Sequence, residues 1–312
     1  MIIIAIISII IDCVIVIVMT KHPADDVTIS AWLLLQPSSE TKPTVIFFHG
    51  NAGNIGFRLP NSHQMYAQGY NVLQVEYRGY GDSQQVAPTE VGLKEDSQAA
   101  INFVLNHPKL NSSKIFLLGR SLGGAVAFHL ASYCQANSIN LAGVIVENTF
   151  LSISKMVDVI MPFVAPLKGL ILRIGWDNEG IVGGLKVPIL YISGSADELV
   201  PPSHMEKLHE LSTGSSKASI YRVRDGTHND TWLRGEVPYW NAFNDFVKSC
   251  LSKDGSSGGV AGDSGKKGSG AARSVGVGVG IPTMPNSFGG ILGEGLKGSG
   301  NDVVESRNKK EL

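Results

Sequence analysis

The chain has 312 residues, and 26 basic against 27 acidic side chains give it a formal net charge of −1. A balance this close to neutral offers no support for nucleic-acid binding, which needs a basic surface. About 230 residues remain when the first 20 and the last 60 are set aside, which is enough for one α/β domain with a well-buried core.

The first predicted element is the apolar run from Ile2 to Met19, which is interrupted only by Ser8, Asp12 and Cys13. As a helix it would span roughly 27 Å, close to the ~30 Å hydrocarbon thickness of a bilayer. The favourable insertion free energy of its isoleucines and valines outweighs the cost of inserting Asp12. We therefore predict a transmembrane signal-anchor over residues 1–20. A cleaved signal peptide is one alternative, but it would need a basic region before the apolar stretch. A buried β-strand or core helix is the other.

Six apolar, β-rich runs then alternate with helical patterns. The strands are predicted near residues 44, 72, 115, 143, 188 and 219, and the helices over 57–67, 90–106, 121–134, 202–211 and 238–251. This alternation is typical of a mostly parallel, doubly wound sheet whose site lies at the carboxyl ends of the strands. The sequence therefore predicts one α/β domain, which we bound at residues 27–251.

The strand near residue 44 leads into His49-Gly50-Asn51-Ala52-Gly53-Asn54, a glycine-punctuated loop before a helix. Such a loop can turn backbone N–H groups towards a developing negative charge. We predict Asn51 or Ala52 as oxyanion donors, together with Leu122; the alternative is a loop that only makes a tight turn. The next strand ends in Tyr77-Arg78-Gly79-Tyr80-Gly81, which we interpret as a structural turn near the site.

Between a buried strand and a helix lies the pentapeptide Gly119-Arg120-Ser121-Leu122-Gly123. This G-x-S-x-G pattern in a strand-to-helix turn is typical of a serine nucleophile, since small neighbours let the backbone bend sharply and expose the hydroxyl. Ser121 is therefore the predicted nucleophile.

A carboxylate and a histidine follow in the order that a serine hydrolase needs. Asp197 comes just after the strand near 188, and His228 lies in a polar turn after the strand near 219. Imidazole would take the seryl proton while the carboxylate fixes its tautomer. Glu147, at the end of another strand, remains an alternative acid. His204 and His209 lie on an amphipathic stretch, where a surface or helix-face role is expected.

Residues 150–186 are the predicted lid, an insertion of about 35 residues between two strands that is rich in apolar side chains. An apolar lid would suit acyl chains or a membrane surface. An ordinary helical cap packed on the core is the alternative.

Five blocks of sequence together resemble the alpha/beta hydrolase domain-containing protein 13 family, the animal relatives of the fungal bud-emergence hydrolases. They are His49–Gly56, Tyr77–Gly81, Gly119–Gly124, Val146–Phe150 and Asp225–Trp232. The resemblance runs from about residue 31 to residue 251. It implies a membrane-anchored serine hydrolase with Ser121, Asp197 and His228 as nucleophile, acid and base.

The resemblance also bears on substrate and topology. The wider group includes protein depalmitoylases, which makes cleavage of an acyl ester or thioester, carried by a lipid or an acylated protein, the expected reaction. It further implies a short cytosolic N-terminus and a lumenal or extracellular catalytic domain, that is, a type II single-pass membrane protein. A catalytically silent α/β-hydrolase scaffold that binds a partner is the alternative function.

The sequence departs from this family in two places. The opening β-hairpin between Val27 and Leu33 is shortened. Residues 252–312 are rich in glycine and serine and are predicted to be disordered. The chain ends Lys309-Lys310-Glu311-Leu312, which is similar to the K-D-E-L retrieval signal and would suit the endoplasmic reticulum.

Two sequons and three cysteines complete the predictions. Asn111 is a glycosylation acceptor on a predicted surface turn, whereas a glycan on Asn229 would crowd His228. Cys13, Cys134 and Cys250 are expected to be free thiols. Since none of them has metal-ligand spacing, we predict no metal, and the chemistry calls for no cofactor.

Overall fold

The computed structural model describes residues 3–10, 13–21, 24–160 and 175–252, and its core is one nine-stranded sheet. The strands are β1 Ile3–Ile10, β2 Cys13–Lys21, β3 Thr28–Leu35, β4 Thr44–Phe48, β5 Asn71–Val75, β6 Ile115–Arg120, β7 Gly143–Glu147, β8 Ile189–Gly194 and β9 Ala218–Val223. The helices are α1 Leu59–Ala67, α2 Glu90–Asn106, α3 Leu122–Ala136, α4 Ile153–Ile160, α5 Asn178–Val182, α6 Pro202–Leu211, α7 Thr231–Arg234 and α8 Glu236–Leu251. Short 3₁₀ turns cover Ser39–Thr41 and Ile55–Arg58.

The strand order is β1-β2-β3-β5-β4-β6-β7-β8-β9. From β5 to β9 all neighbours are parallel, while β1, β2 and β3 pair antiparallel. This mostly parallel sheet with helices between its strands confirms the predicted α/β-hydrolase fold, and all six predicted strands are present. Because β4, β6, β7, β8 and β9 run in one direction, the loops that follow them meet at one edge of the sheet.

The structure differs from the sequence prediction at the N-terminus. Residues 2–19 are predicted as a transmembrane helix, but the chain forms two strands there, and β2 pairs with β3 from Val14 with Leu35 to Lys21 with Thr28. The segment is rich in isoleucine and valine, which favour strands because a branched Cβ packs well on a pleated surface. Among the described residues, the structure contains no helix of the length and apolar character needed to cross a membrane.

The shortened hairpin is completed by the same segment. Instead of a turn near residue 30, β3 continues without a break to Leu35 and pairs with β5 on one side and β2 on the other. An unpaired edge exposes N–H and C=O groups, so β2 satisfies the edge that the missing hairpin strand would cover.

Two apolar layers cover the sheet. On one face α2, α3 and α6 pack against alternate strand residues such as Ile46, Leu117 and Val146. On the other face α1 and α8 pack against the residues between them, including Phe47 and Leu118. Since both faces are covered, every residue of β4, β5, β6, β7 and β8 is buried.

Parts of the chain that bear on earlier predictions lie outside the described residues. These are the centre of the predicted lid, residues 161–174, and the C-terminal stretch 253–312 with its Lys-Lys-Glu-Leu ending. The two ends of the lid are described. They form α4 on one side and residues 175–182, including α5, on the other.

Candidate active site

Ser121 lies between β6 and α3 in a backbone conformation that few residues adopt, with φ 54° and ψ −119°. Such a turn is typical of a nucleophile elbow, in which strain holds the side chain above the sheet. Its amide donates to Glu147 O at 3.0 Å. Its carbonyl accepts from Thr149 Oγ1 at 2.7 Å. The half-buried serine is therefore held by the end of the neighbouring strand β7.

The two glycines of the pentapeptide permit close backbone approach. A Cβ at Gly119 would lie 2.1 Å from Gly123 O, and one at Gly123 would lie 2.0 Å from Phe48 O. Neither glycine has a positive φ; in this turn it is Ser121 itself that has one. The glycines thus let β6 and α3 pack directly against each other and against β4.

Asp197 and His228 contact each other. His228 Nδ1 lies 2.8 Å from Asp197 Oδ2 and 3.0 Å from Oδ1, and the two side chains are 7% and 1% exposed. The backbone amides of Leu199 and Val200 donate to Asp197 Oδ1 at 2.9 and 2.8 Å, so the carboxylate is fixed by its own loop. A carboxylate on Nδ1 selects the tautomer that leaves Nε2 as the proton acceptor.

Glu147, the alternative acid, has other partners. Its Oε1 accepts from Arg120 Nε at 2.6 Å and its Oε2 from Tyr239 OH at 2.7 Å. Arg120 also donates to Asn61 Oδ1 at 3.1 Å. Both carboxylate oxygens are engaged beneath the elbow, where the pair joins β6 and β7 to α8. Of the two acids weighed from the sequence, it is Asp197 that the structure brings to His228.

Asn148, which follows Glu147, is not among the site residues predicted from the sequence. Its side chain is hydrogen-bonded to the backbone of the histidine turn and to Gly194, at the end of β8. The signal in the sequence is an asparagine directly after a buried strand, in the Val146–Phe150 block. The neighbouring carboxylate of Glu147 is the more obvious candidate for chemistry.

The loop after β4 approaches the serine from the other side. A Cβ at Gly50 would lie 3.4 Å from Ser121 Cβ. In the described part of the chain no hydrogen bond uses the backbone amides of Asn51 or Ala52. Leu122 is the first residue of α3, and the amides of a helix's first turn have no intrahelical acceptor. The three predicted oxyanion donors therefore lie on segments that flank Ser121.

This loop is supported by the Tyr77–Gly81 turn and the residue before it. The buried ring of His49 lies between Gly50 O, 2.7 Å from Nδ1, and Glu76 Oε1, 3.2 Å from Nε2. The other oxygen of Glu76 accepts from Ile55 N at 3.1 Å. Tyr80 OH donates to Asn51 Oδ1 at 2.9 Å. Glu76 thus contacts the loop at its beginning and at its end.

His204 is on α6 but is not a surface residue. It is 5% exposed, and its Nδ1 accepts from Leu151 N at 3.2 Å, at the start of the predicted lid. Burial lowers the pKa of His204, so the neutral ring that accepts this bond is favoured. It therefore has a structural role at the helix face, one of the two roles expected from the sequence.

Comparison with known proteins places these features in a family. Residues 39–176 match a hydrolase family model described as serine aminopeptidase, S33. The protein bem46 of Schizosaccharomyces pombe is 39% identical over 226 residues, which are 72% of this chain and 73% of bem46. An uncharacterized membrane protein of Saccharomyces cerevisiae is 38% identical over 73% of this chain and 78% of its own length. The alpha/beta hydrolase domain-containing protein WAV2 of Arabidopsis thaliana is 33% identical over 72% of this chain and 76% of its own.

Solved structures share the fold at lower identity. An esterase of Pyrococcus furiosus superposes with a TM-score of 0.61 at 20% identity, covering 75% of this chain and 91% of the esterase. Acetyl xylan esterase 1 of Thermoanaerobacterium gives 0.60 at 18% identity, covering 80% and 87%. The sequence relatives carry the family assignment and the solved structures carry the fold, and together they support a serine-hydrolase type of activity. The chain belongs to the alpha/beta-hydrolase domain-containing family that includes bem46.

Proposed function

We propose that the protein hydrolyses acyl esters or thioesters through an acyl-enzyme, with Ser121 as nucleophile, His228 as general base and Asp197 as the acid that orients it. The observation that carries this proposal is the buried contact of His228 Nδ1 with Asp197, which is 2.8 Å long. It lies at the carboxyl ends of the parallel strands, where Ser121 also lies in its strained turn. A nucleophile, a base and an orienting carboxylate are the parts that acyl transfer requires.

In the acylation step, Ser121 Oγ attacks the acyl carbonyl carbon and its proton passes to His228 Nε2. The carbonyl oxygen becomes an oxyanion, for which the amides of Leu122 and of Asn51 or Ala52 are the proposed donors. The intermediate collapses, the acyl–oxygen or acyl–sulfur bond breaks, and the imidazolium gives its proton to the leaving alcohol or thiol. Asp197 stays ionised and stabilises the imidazolium.

In the deacylation step, water attacks the acyl-enzyme and His228 accepts its proton. Breakdown of the second intermediate returns this proton to Ser121 Oγ and releases the carboxylic acid. Overall, one water is consumed and one acid and one alcohol or thiol are formed. The donors, the base and the nucleophile are used twice, which is why all of them must be fixed before substrate binds.

The proposal extends to an acyl chain carried by a lipid or by a protein, including a palmitoyl thioester. Exposed apolar side chains on segments next to the site residues favour such substrates, since Phe57, Leu199 and Leu233 are 74%, 49% and 52% exposed. Phe57 follows the predicted oxyanion loop, Leu199 follows Asp197, and Leu233 follows His228. Exposed apolar groups around a site are typical of one that meets an apolar ligand.

The first experiment is labelling with a fluorophosphonate probe, which reacts with an activated serine. The wild-type protein is expected to label, and Ser121→Ala is expected not to label while keeping its fold. Absence of labelling in folded wild-type protein would favour the silent scaffold. Equal labelling of the two proteins would place the nucleophile elsewhere. The rates of hydrolysis of p-nitrophenyl esters and of acyl thioesters are then compared to define the preferred leaving group. Substrates of graded acyl length define the preferred chain.

We also propose that residues 2–19 attach the protein to a membrane as a single-pass, type II signal-anchor, in a membrane-bound form in which this segment leaves strands β1 and β2 and spans the bilayer as a helix. The support is the apolar length of the segment and the similarity to a yeast protein that is named as a membrane protein. Deleting residues 2–19 is expected to release active enzyme from carbonate-washed membranes. Sedimentation of the truncated protein would count against this anchor.

We propose that the catalytic domain lies on the lumenal side of the endoplasmic reticulum membrane. Ser112 and Ser113 of the first sequon are exposed, whereas Thr231 of the second is fully buried and its hydroxyl donates to Thr227 O at 2.6 Å. One endoglycosidase H-sensitive glycan, lost in Asn111→Gln, is the expected result. Escape from the compartment on removing Leu312 would support retrieval, and unchanged location would contradict it.

A further inference from the structure

Asn148 has a side chain whose donors and acceptor are all engaged, and every partner belongs to the acid or base side of the site. It is 1% exposed. Its Nδ2 donates to Thr227 O at 3.1 Å, to His228 O at 3.2 Å and to Thr231 Oγ1 at 2.9 Å. Its Oδ1 accepts from Gly194 N at 2.8 Å, three residues before Asp197. One amide therefore joins the two loops that carry the acid and the base.

The residues on either side of Asn148 contact the nucleophile. Glu147 O accepts from Ser121 N at 3.0 Å, and Thr149 Oγ1 donates to Ser121 O at 2.7 Å. Three consecutive residues at the end of β7 thus contact the backbone of Ser121 on one side and the backbone of His228 on the other.

We propose that Asn148 is a positioning residue that sets the place of His228 relative to Ser121. This inference rests on the proposed function, because it gives Asn148 a role in the proposed acyl transfer. The need for such a residue follows from the sheet. β9 is the edge strand, and of its six residues only Val223 is buried, so packing alone fixes the histidine turn weakly. β7 lies inside the sheet with all five residues buried.

The chemistry of the amide explains why this side chain suits the position. Asparagine offers two N–H donors and one acceptor oxygen, which matches three acceptors and one backbone donor if one N–H is shared. A carboxylate would turn an oxygen towards the carbonyls of Thr227 and His228, where it has nothing to donate. An apolar side chain would take a donor away from both carbonyls and leave Thr227 O with only the Thr231 hydroxyl among the described residues.

The backbone also favours asparagine. Asn148 has φ 50°, in the left-handed region where asparagine is common and most side chains are strained. Glycine adopts this conformation without strain, so Asn148→Gly removes the amide while keeping the turn. The two variants Asn148→Asp and Asn148→Gly therefore test the hydrogen bonds and leave the backbone geometry in place.

The matched control is Asn71→Asp. Asn71 is also fully buried, its Nδ2 donates to a backbone carbonyl, Ser39 O, at 2.9 Å, and its Oδ1 accepts from Gln36 N at 3.0 Å, but it lies at the start of β5 and none of these partners belongs to the histidine turn. A loss of thermal stability is expected in both asparagine-to-aspartate variants. A loss of kcat is expected only at position 148, which separates positioning from general destabilisation.

The experiment measures kcat and KM on a p-nitrophenyl ester, the rate of fluorophosphonate labelling, and hydrogen exchange over residues 224–234, all well below the melting temperature. In Asn148→Asp and Asn148→Gly we expect kcat and the labelling rate to fall about 100-fold with KM within about threefold, as a misplacement of ~1 Å would cause. Exchange should rise over residues 224–234 and stay unchanged over residues 115–120.

Three results would overturn the inference. These are a kcat within threefold of wild type in the folded variants of Asn148, an equal loss of kcat in Asn71→Asp, and unchanged exchange over residues 224–234. If Asn148→Asp does not fold, Asn148→Gly and the exchange measurement still decide. A wild-type protein that shows no turnover and no labelling would refute the proposed function, whereas a wild type that labels beside an unaffected Asn148→Gly refutes only the role of Asn148.

Discussion

The two sides of the candidate site are held in place by different forces. The nucleophile side lies on β4, β6 and β7, inside the sheet, and is fixed by backbone-to-backbone contact at Gly119 and Gly123 and by a buried ion pair beneath Ser121. The acid–base side lies beyond β8 and β9, towards the sheet edge, and is fixed by side-chain hydrogen bonds from Asn148 and Asp197. Where both faces of a sheet are covered, packing determines the geometry. At β9, an edge strand that is mostly only partly buried, polar side chains contribute to it.

The largest expected effect separates the two carboxylates. Asp197→Asn is expected to lower kcat by about 10⁴-fold, because an amide would hold the imidazole in the wrong tautomer. Glu147→Gln is expected to leave kcat of the folded protein within about tenfold, since its carboxylate serves the ion pair. Steady-state kinetics on both variants decide between the acids.

Their stabilities should show the reverse order. Removing the charge of Glu147 leaves Arg120 buried without its partner, which costs about 3–5 kcal/mol. Asp197→Asn keeps the shape of a loop whose amides still have an oxygen to bond and should cost less, about 1–2 kcal/mol. A larger kinetic defect in Glu147→Gln than in Asp197→Asn would exchange the roles of the two carboxylates.

A second prediction concerns packing on the nucleophile side. Gly123→Ala would put a methyl group 2.0 Å from Phe48 O, and backbone on both sides leaves no room to yield. Overpacking of this kind is expected to cost about 3 kcal/mol or more and to lower the melting temperature steeply. At Gly184 the nearest contact of such a methyl group is 3.5 Å, so Gly184→Ala is the control and should change stability little. Equal melting temperatures of Gly123→Ala and Gly184→Ala would contradict the view that Gly123 is needed for close backbone approach.

The third prediction tests Glu76, which contacts the predicted oxyanion loop at its beginning and at its end. Glu76→Gln is expected to lower kcat about 10-fold, because the His49 and Ile55 contacts that fix the loop are weakened and the amide donors are placed less accurately. KM should change little. Affinity for a boronic acid that mimics the tetrahedral intermediate should fall in step with kcat. Glu206→Gln, which alters a surface pair with Arg222, is the control. A raised KM with an unchanged kcat would show that Glu76 serves substrate binding instead.

The same division explains what the sequence could reveal. The strands before Ser121 and Asp197 are apolar runs closed by glycine or polar residues, and the strand before His228 is a shorter β-rich run that ends in a polar turn, so their positions and the loops after them could be predicted. The contacts of Asn148 could not, because its partners lie 46 to 83 residues away and hydrogen bonds leave no periodic pattern. The buried pair of His49 with Glu76 is hidden for the same reason. At the N-terminus, hydropathy does not distinguish a helix from β-strands when the run consists mainly of isoleucine and valine.

The smallest expected effect is a pH dependence that originates on the nucleophile side. His129 lies on α3, its ring packs edge-on against Trp176 at 5.1 Å between centroids, and its Nε2 has no hydrogen-bond partner in the described part of the chain. Burial, aided by Lys94 and opposed by Glu90 and Asp177, lowers the pKa of His129 to about 4. The native state therefore holds the ring neutral.

An unfolded histidine binds a proton near pH 6.5 and the folded one only near pH 4, so between these values the unfolded state carries more protons and stability falls as pH falls. The ring is only partly buried, and solvent screens part of the effect. We therefore expect His129 to account for about 1 kcal/mol of the loss in unfolding free energy between pH 7 and pH 5. Urea unfolding of wild type and His129→Gln at both pH values measures this difference. If the two proteins lose stability equally, the acid sensitivity arises from other groups, and the edge-on contact with Trp176 does not depend on a neutral ring.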